Sequence, residues 1–272
     1  MIEAGFFDLD KTTIDEHGHA YEGLRDALDA RPEFAKTVVT ARGYPRFWEA
    51  ISQNPSLAVS PEMPVALENG ARIVDGETYE NLYYHALSPG EQATVCDFID
   101  KLEGLRYVAF HPQEPRAKTL LWSPDGAEAE RLRSTYSHNA IVFTSSKRDL
   151  YREIKHHNPC MITCRTYEDD LQELPEITFY SRGTTVNFMP DGPNKGTAMQ
   201  IIADMRGIDL SRAMAVGNDH NDEPMLTLEG LAYPVVVGND MTEDMIARLP
   251  EHTTYIPDPK KLGNFILKEV QK

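Results

Sequence analysis

Gly5-Phe6-Phe7-Asp8-Leu9-Asp10-Lys11-Thr12-Thr13 begins as an apolar run and stops at two carboxylates one residue apart. The run reads as a buried strand. In an extended chain, side chains at i and i+2 share a face, so Asp8 and Asp10 would lie side by side at the strand end. Such a pair repels itself unless a cation lies between the carboxylates or one of them holds a proton. A hard divalent cation such as Mg²⁺ suits these oxygen donors. A carboxylate beside an acid/base partner is also equipped to act as a nucleophile. The plainer reading is an acidic strand-to-turn junction with Asp10 as a cap, and the downstream sequence has to separate the two.

The 272 residues are 41% apolar, ample for a packed core in one large or two modest domains. Lys and Arg total 27 against 43 Asp and Glu, a net charge of −16. So acidic a chain argues against nucleic-acid binding, and an anionic ligand would need a local positive pocket. Three cysteines, Cys96, Cys160 and Cys164, point to a reducing compartment without a disulfide framework. His156 and His157 precede Cys160 and Cys164, but the spacing is not that of a standard zinc site, and two buried thiols are expected. Near the N-terminus Glu3 stands in place of a basic, apolar leader, and no apolar run is long enough to span a bilayer. A soluble cytoplasmic protein without a membrane partner is expected.

Working outward, Leu24–Leu28 suits a short helix, and Thr37-Val38-Val39-Thr40 is a second apolar run ending in a hydroxyl. Ala41-Arg42-Gly43-Tyr44-Pro45 follows, then a helix-like segment from Arg46 to Gln53. Val65–Leu67 and Arg72–Val74 read as a hairpin about Glu68-Asn69-Gly70-Ala71. Residues 78–187 differ in pattern. Ser88 and Pro89 open a helix to Leu102, and strands are expected at Arg106–Phe110, Thr119–Trp122 and Ala140–Thr144. Helices are expected at Asp125–Tyr136 and Lys147–His157, with a hairpin about Ser181-Arg182-Gly183. From residue 188 the strand–helix alternation resumes. Asn194-Lys195-Gly196 opens a helix closing at Gly207, and Ala213–Val216 runs into Gly217-Asn218-Asp219-His220-Asn221-Asp222. Val235–Val237 is a further buried strand. The pattern predicts an α/β fold: a Rossmann-like parallel sheet from residues 1–77 and 188–272, interrupted by an α+β block at 78–187.

Polar groups thus gather at strand ends and one helix start: Asp8 and Asp10, Thr40, Lys195, and the Asn218–Asp222 cluster. Each has a plain reading: Thr40 as an N-cap, Lys195 as a surface lysine, the cluster as a capped turn. Lys195 is then at the electrostatically poor end of its helix for a cation. One shared site explains all of them with a single cause.

In this order the motifs resemble those of the haloacid dehalogenase superfamily, in particular its capped Cof-type sugar-phosphatase group. Asp8-Leu9-Asp10-Lys11-Thr12 resembles the first motif, Thr40-Ala41-Arg42 the second, Asn194-Lys195-Gly196 the third and Gly217–Leu226 the fourth. Glu68-Asn69-Gly70-Ala71 resembles a recurring feature of the same group. Two positions depart: Ala41 replaces a usual Gly, and Asn218 stands where many members have Asp, bringing an oxygen donor without charge. The stretch between Asp8 and Thr40 is too short for a cap domain, whereas that between Thr40 and Lys195 holds one.

The resemblance implies a Mg²⁺-dependent phosphohydrolase acting on a small phosphorylated metabolite, a sugar phosphate above all. Asp8 would be the nucleophile and Asp10 the acid and base. Thr40, the Ala41 backbone, Arg42 and Lys195 would bind phosphate. Asp8, the Asp10 carbonyl, Asn218, Asp219 and Asp222 would surround the metal. Cap contacts to the leaving group would come from Arg46, His111, Arg116, Lys118 and Arg182. Two competing readings are a phosphomutase-type transferase on the same scaffold and a non-catalytic binding module, the latter disfavoured by intact Asp8, Asp10, Thr40 and Lys195.

Overall fold

The structure is a computed structural model that describes residues 2–270, apart from 33, 58, 61, 115, 136–140, 168–174 and 183. Five parallel strands form one sheet in the order Thr254–Ile256, Tyr233–Val237, Ala213–Gly217, Ala4–Phe7, Ala35–Val38. Ala4–Phe7 and Ala213–Gly217 are buried along their whole length. That is why they read as continuous apolar runs rather than alternating ones. Ala4 pairs with Ala213 and Phe7 with Val216. The chain leaves Ala4–Phe7 toward one edge and Ala213–Gly217 toward the other. The ends of these two adjacent strands are therefore the point where the winding reverses, the usual crevice of such sheets.

The second strand is Ala35–Val38, two residues earlier than Thr37–Thr40. The Val39–Ala66 bridge and the Thr40 N–H to Ala66 carbonyl bond (2.9 Å) turn the chain from the core strand onto a small sheet. That sheet has the order Val65–Leu67, Arg72–Val74, Asn81–Tyr84. Thr254–Ile256 and the helix Leu262–Val270, to which no element is assigned above, complete this part.

The chain divides into two compact units: Met1–Arg42, Phe47–Leu82 and Asn194–Lys272 in one, Gly43–Arg46 and Tyr83–Pro193 in the other. The second unit carries a six-stranded sheet in the order Thr178–Arg182, Thr185–Phe188, Ile162–Thr166, Leu105–Phe110, Thr119–Trp122, Ile141–Phe143. Thr119–Trp122 therefore belongs to a different sheet from Ala4–Phe7. Ile162–Thr166, not assigned above, is a central strand, with Ile162, Cys164 and Thr166 buried in period two. Cys160 and Cys164 are buried free thiols. Gly183, the turn residue of the expected hairpin, lies outside the described residues.

Local chemistry explains the elements of this unit. Ser88 caps Pro89–Lys101, accepting from the Glu91 N–H, while Glu91 accepts from the Ser88 N–H. Val95 and Ile99 of that helix join Leu150 and Ile154 of Lys147–His157 and Val108, Ile162 and Val186 of the sheet in one apolar core. Tyr151 ties the two helices, its hydroxyl lying 3.0 Å from the Cys96 carbonyl and 2.9 Å from Asp100.

Glu128, buried on Gly126–Thr135, accepts from Arg131 at 2.7 Å and from Arg106 of the sheet at 2.7 Å. Those arginines, Arg131 first, hold its carboxyl down at about 2 against an ordinary 4.5. A depressed acid stabilises the fold above its unfolded value and loses that contribution as pH falls through its folded one. Glu128→Gln should cost about 1–3 kcal/mol at neutral pH. In urea melts followed by circular dichroism, the gap to wild type should be full above pH 4.5 and close as pH approaches 2. A gap unchanged at pH 3 would refute this role.

Candidate functional site

Asp8 follows directly on the strand Ala4–Phe7, and its N–H donates to the Val216 carbonyl at 2.9 Å. That bond levels the two strand ends, bringing Asp8 beside the Gly217–Asp222 loop. Past Asp8 the chain reverses sharply. Lys11 lies in the left-handed region at φ 61, and the Thr13 and Ile14 N–H groups both donate to the Leu9 carbonyl at 2.9 and 3.0 Å. The turn separates the two carboxylates. Asp8 is only 5% exposed, whereas the Asp10 side chain is 54% exposed.

Lys195 is the centre of the buried part. Asn194 caps its helix, accepting from the Thr197 N–H at 2.9 Å. The side chain, 1% exposed, reaches Asp8 Oδ1 at 2.6 Å and Asp222 Oδ1 at 2.5 Å. It is not a surface lysine. Asp222 Oδ2 accepts from the Asn218 and Asp219 N–H groups at 2.8 and 3.0 Å. One Asp222 oxygen is thus committed to Lys195 and the other to shaping the loop. Gly217 permits this, because a Cβ there would stand 2.4 Å from the Asp222 Cβ. Burial pushes the Asp8 carboxyl up to about 7, with Lys195 opposing the shift and Asp222 reinforcing it. Burial disfavours the Lys195 ammonium, but Asp222 and Asp8 hold its pKa above the ordinary lysine value.

The exposed carboxylate has its own partner. Arg42 Nε donates to Asp10 Oδ2 at 2.9 Å and Nη2 to Oδ1 at 2.6 Å, a bidentate pair. Burial alone would lower the Arg42 pKa, but Asp10 more than offsets it. Thr40 is fully buried, and its hydroxyl accepts from the Arg42 N–H at 3.2 Å. The Glu68-Asn69-Gly70 turn braces this loop. Its residues are consecutively left-handed at φ 52, 55 and 94. The Glu68 N–H donates to the Arg42 carbonyl at 3.0 Å and the Asn69 N–H to the Thr40 carbonyl at 2.9 Å. Asn221 Nδ2 donates to Asn69 Oδ1 at 2.9 Å, tying the same turn to the fourth motif. A buried Glu68–Arg72 ion pair at 2.8 Å holds the turn from below.

Thr12 joins the first and fourth motifs. Its hydroxyl lies 3.0 Å from Asp8 Oδ2 and 2.9 Å from Asn218 Oδ1. One hydroxyl hydrogen cannot serve both acceptors at once, so two oxygens converge where a single proton is available. Among the described residues no three His, Cys, Asp or Glu side chains gather as a metal group. The donors that do converge, one carboxylate and one amide oxygen, fit Mg²⁺. That ion keeps several waters and takes one or two carboxylates together with substrate phosphate. Asp219 accepts from the His220 N–H at 2.8 Å and lies 3.0 Å from His220 Nδ1. The structure therefore brings together Asp8, Thr12, Lys195, Asn218 and Asp222, pairs Asp10 with Arg42, and gives Asp219 and Asp222 other commitments.

Arg46, His111 and the 116 and 118 positions belong to the second unit; His111 is buried there, while Arg46, Arg116 and Lys118 are exposed. The side chain of Arg182 lies outside the described residues. Asp240, not singled out above, also reaches the site: it accepts from Asn218 Nδ2 at 3.1 Å and from Lys11 Nζ at 2.9 Å. It follows the strand Tyr233–Val237, so the same strand-end rule that marks Asp8 would have marked it.

A parallel sheet with acidic motifs at its switch point and a second α+β unit defines a class, and the family model agrees. Residues 6–243 match the haloacid dehalogenase-like hydrolase model, and the chain belongs to that family. Among curated relatives, it is 28% identical over 134 residues to the phosphoglycolate phosphatase of Methanobrevibacter smithii, covering 48% of this chain and 53% of that protein. It is 35% identical over 71 residues to the HMP-PP phosphatase of Citrobacter koseri, covering 26% of this chain and 25% of that one. The matched stretches thus span about half or less of these relatives. In fold it is similar to a haloalkanoate-superfamily phosphatase from Bacteroides thetaiotaomicron, with TM-score 0.73, 18% identity, and 100% and 96% of the two chains covered. It is also similar to a subclass IIB sugar phosphatase, with TM-score 0.72, 20% identity, and 99% and 98% covered.

The buried triad has a measurable consequence. Lys195→Met strands Asp8 and Asp222 without their cation, and breaking a buried pair this way costs about 3–5 kcal/mol. Denaturant unfolding of the metal-free protein should show that loss. An unchanged midpoint would remove Lys195 from the core of the site.

Proposed function

We propose that this protein is a Mg²⁺-dependent phosphatase of small phosphorylated metabolites, sugar phosphates foremost, working through a phosphorylated Asp8. The observation that carries the reading is the fixed Asp8 carboxylate, held by Lys195 at 2.6 Å and Thr12 at 3.0 Å at the switch point of the sheet. The relatives named as phosphatases support the reaction class.

Charge balance supports the metal. Lys195 and Arg42 already face Asp8, Asp222 and Asp10, leaving the cluster with more carboxylates than cations. A phosphate dianion would add to that deficit, so a further positive charge is needed before it can bind. Asp8, the Asp10 backbone carbonyl and Asn218 Oδ1 would hold the Mg²⁺. When bound, the ion supplies charge neutralisation and orients the phosphate.

The chain's own groups then carry the steps. Asp8 attacks phosphorus as the ester P–O bond breaks, and Asp10 gives a proton to the departing alkoxide. Asp10 next takes a proton from water, whose oxygen attacks phosphorus as the Asp8–P bond breaks. Inorganic phosphate leaves, Asp8 returns as a carboxylate, and Asp10 again carries the proton it gives up in the next turnover. Lys195 keeps Asp8 aimed and balances its charge. Arg42 matches phosphate as well as it matches Asp10; moving to the phosphate would free Asp10 to hold its proton. The Thr40 hydroxyl and Ala41 N–H would complete the phosphate cradle. We further assign substrate choice to the second unit.

Two measurements test the reading. Phosphate release from a panel of sugar, polyol and nucleotide monophosphates should require Mg²⁺, stop with EDTA, and need no bisphosphate activator. Asp8→Asn should lower kcat by several orders of magnitude with an intact fold, and retention of a tenth of the wild-type rate would overturn the nucleophile. Asp10→Asn should lose roughly a hundredfold or more on an alkyl phosphate. Its phosphorylation step should be far less affected on an aryl phosphate, whose leaving group needs little protonation. Equal losses in that step for both substrates would show that Asp10 is not the general acid.

A further inference from the structure

Asn218 is an amide at a position where its two ends are chemically opposite, and nothing in the fourth motif itself decides which end faces Asp8. The surroundings decide it. Asp240 Oδ2 stands 3.1 Å from Asn218 Nδ2 and 2.9 Å from Lys11 Nζ. A carboxylate oxygen only accepts, so the NH₂ end of Asn218 must face it. The carbonyl end is then turned to the Thr12 hydroxyl at 2.9 Å, the group that also lies 3.0 Å from Asp8 Oδ2. With the amide reversed, its carbonyl would face the Asp240 carboxylate and its NH₂ would occupy the place where oxygen donors converge.

We propose that Asp240 is a positioning residue that locks the Asn218 amide with its oxygen toward Asp8. The inference rests on the proposed cation site. Lys11 braces Asp240 from the turn after Asp8, so one carboxylate links the first motif, the fourth motif and the loop after Tyr233–Val237. Asp240 needs no contact with substrate or ion to act. It belongs to the outer set of partners that orient a ligand, whose loss costs 10–100-fold in metal affinity.

The reading makes the role of Asp240 depend on the chemistry at position 218, and a double-mutant cycle reads that dependence. The measurement is Mn²⁺ binding to the substrate-free protein, followed by electron paramagnetic resonance, with thermal melts to confirm folding. Asp240→Ala should weaken Mn²⁺ binding by about tenfold. In the Asn218→Asp protein the same change should weaken it by less than about threefold, because a symmetric carboxylate has no wrong end to turn and the change relieves repulsion from Asp240. Equal weakening in both proteins would reduce Asp240 to a distant charge and overturn the proposal. No weakening in wild type would overturn it as well. Failure of wild type to bind Mn²⁺ at all would bring down the cation site and this inference with it. Mn²⁺ binding without coupling brings down this inference alone.

Discussion

The buried ammonium of Lys195 is what the site is built around. It sits at a helix N-terminus, where the backbone dipole disfavours a cation, and it is removed from water. Such a charge is tolerable only beside good partners, and Asp8 at 2.6 Å and Asp222 at 2.5 Å are both charged hydrogen-bond acceptors. The constraint runs both ways. With Lys195 in place, neither Asp8 nor Asp222 can leave without exposing an unpaired charge. The triad therefore fixes three motifs that lie far apart in the chain, and it does so before any ligand arrives.

Around this fixed charge the backbone sets the heights of the other groups. The Phe7–Val216 register levels the two central strands. Asp222 spends an oxygen on the Asn218 and Asp219 N–H groups, so the ion pair also shapes the loop that presents Asn218. The Glu68-Asn69-Gly70 turn does comparable work one layer out, accepting three residues of left-handed backbone. Its Asn69 meets both Thr40 and Asn221, so the second and fourth motifs lean on one strained support. Gly70 is suited to this place because a Cβ would stand 2.4 Å from the Asn194 carbonyl oxygen, at the cap of the Lys195 helix.

Much of this was legible in the sequence, for identifiable reasons. Buried parallel strands are apolar runs, and Gly5–Phe7, Ala213–Val216 and Val235–Val237 show as such. Ser88 with Pro89 and Asn194 with Gly207 carry their cap signals openly. Ile162–Thr166 escaped notice because its outward residues, Thr163 and Arg165, break the apolar run, although the alternation itself was present. The pairing of carboxylates was harder. A strand-end rule puts Asp8 and Asp10 side by side, but the turn at Lys11 gives one to Lys195 and the other to Arg42. Side-chain partners across more than a hundred residues depend on register, and register has no local sequence signal. Asp240 is the same case: a strand-end carboxylate whose importance lies only in what it faces.

The order of the chain adds a constraint of its own. Ala4–Phe7 precedes the whole second unit, and one of its two strand partners, Ala213–Gly217, comes only after it. The central pairing of the core sheet is therefore long-range, and loop closure must precede any reward from it. The second unit is continuous apart from Gly43–Arg46, and its sheet, helices and apolar cluster draw on residues between 87 and 188. Its contacts are closer in sequence, which favours early formation. A folded insert holds its two ends at a fixed separation, whereas an unfolded stretch of the same length leaves them free. Order in the second unit thus lowers the entropy lost when Ala4–Phe7 meets Ala213–Gly217, and with it the cost of bringing Asp8 to Lys195 and Asp222.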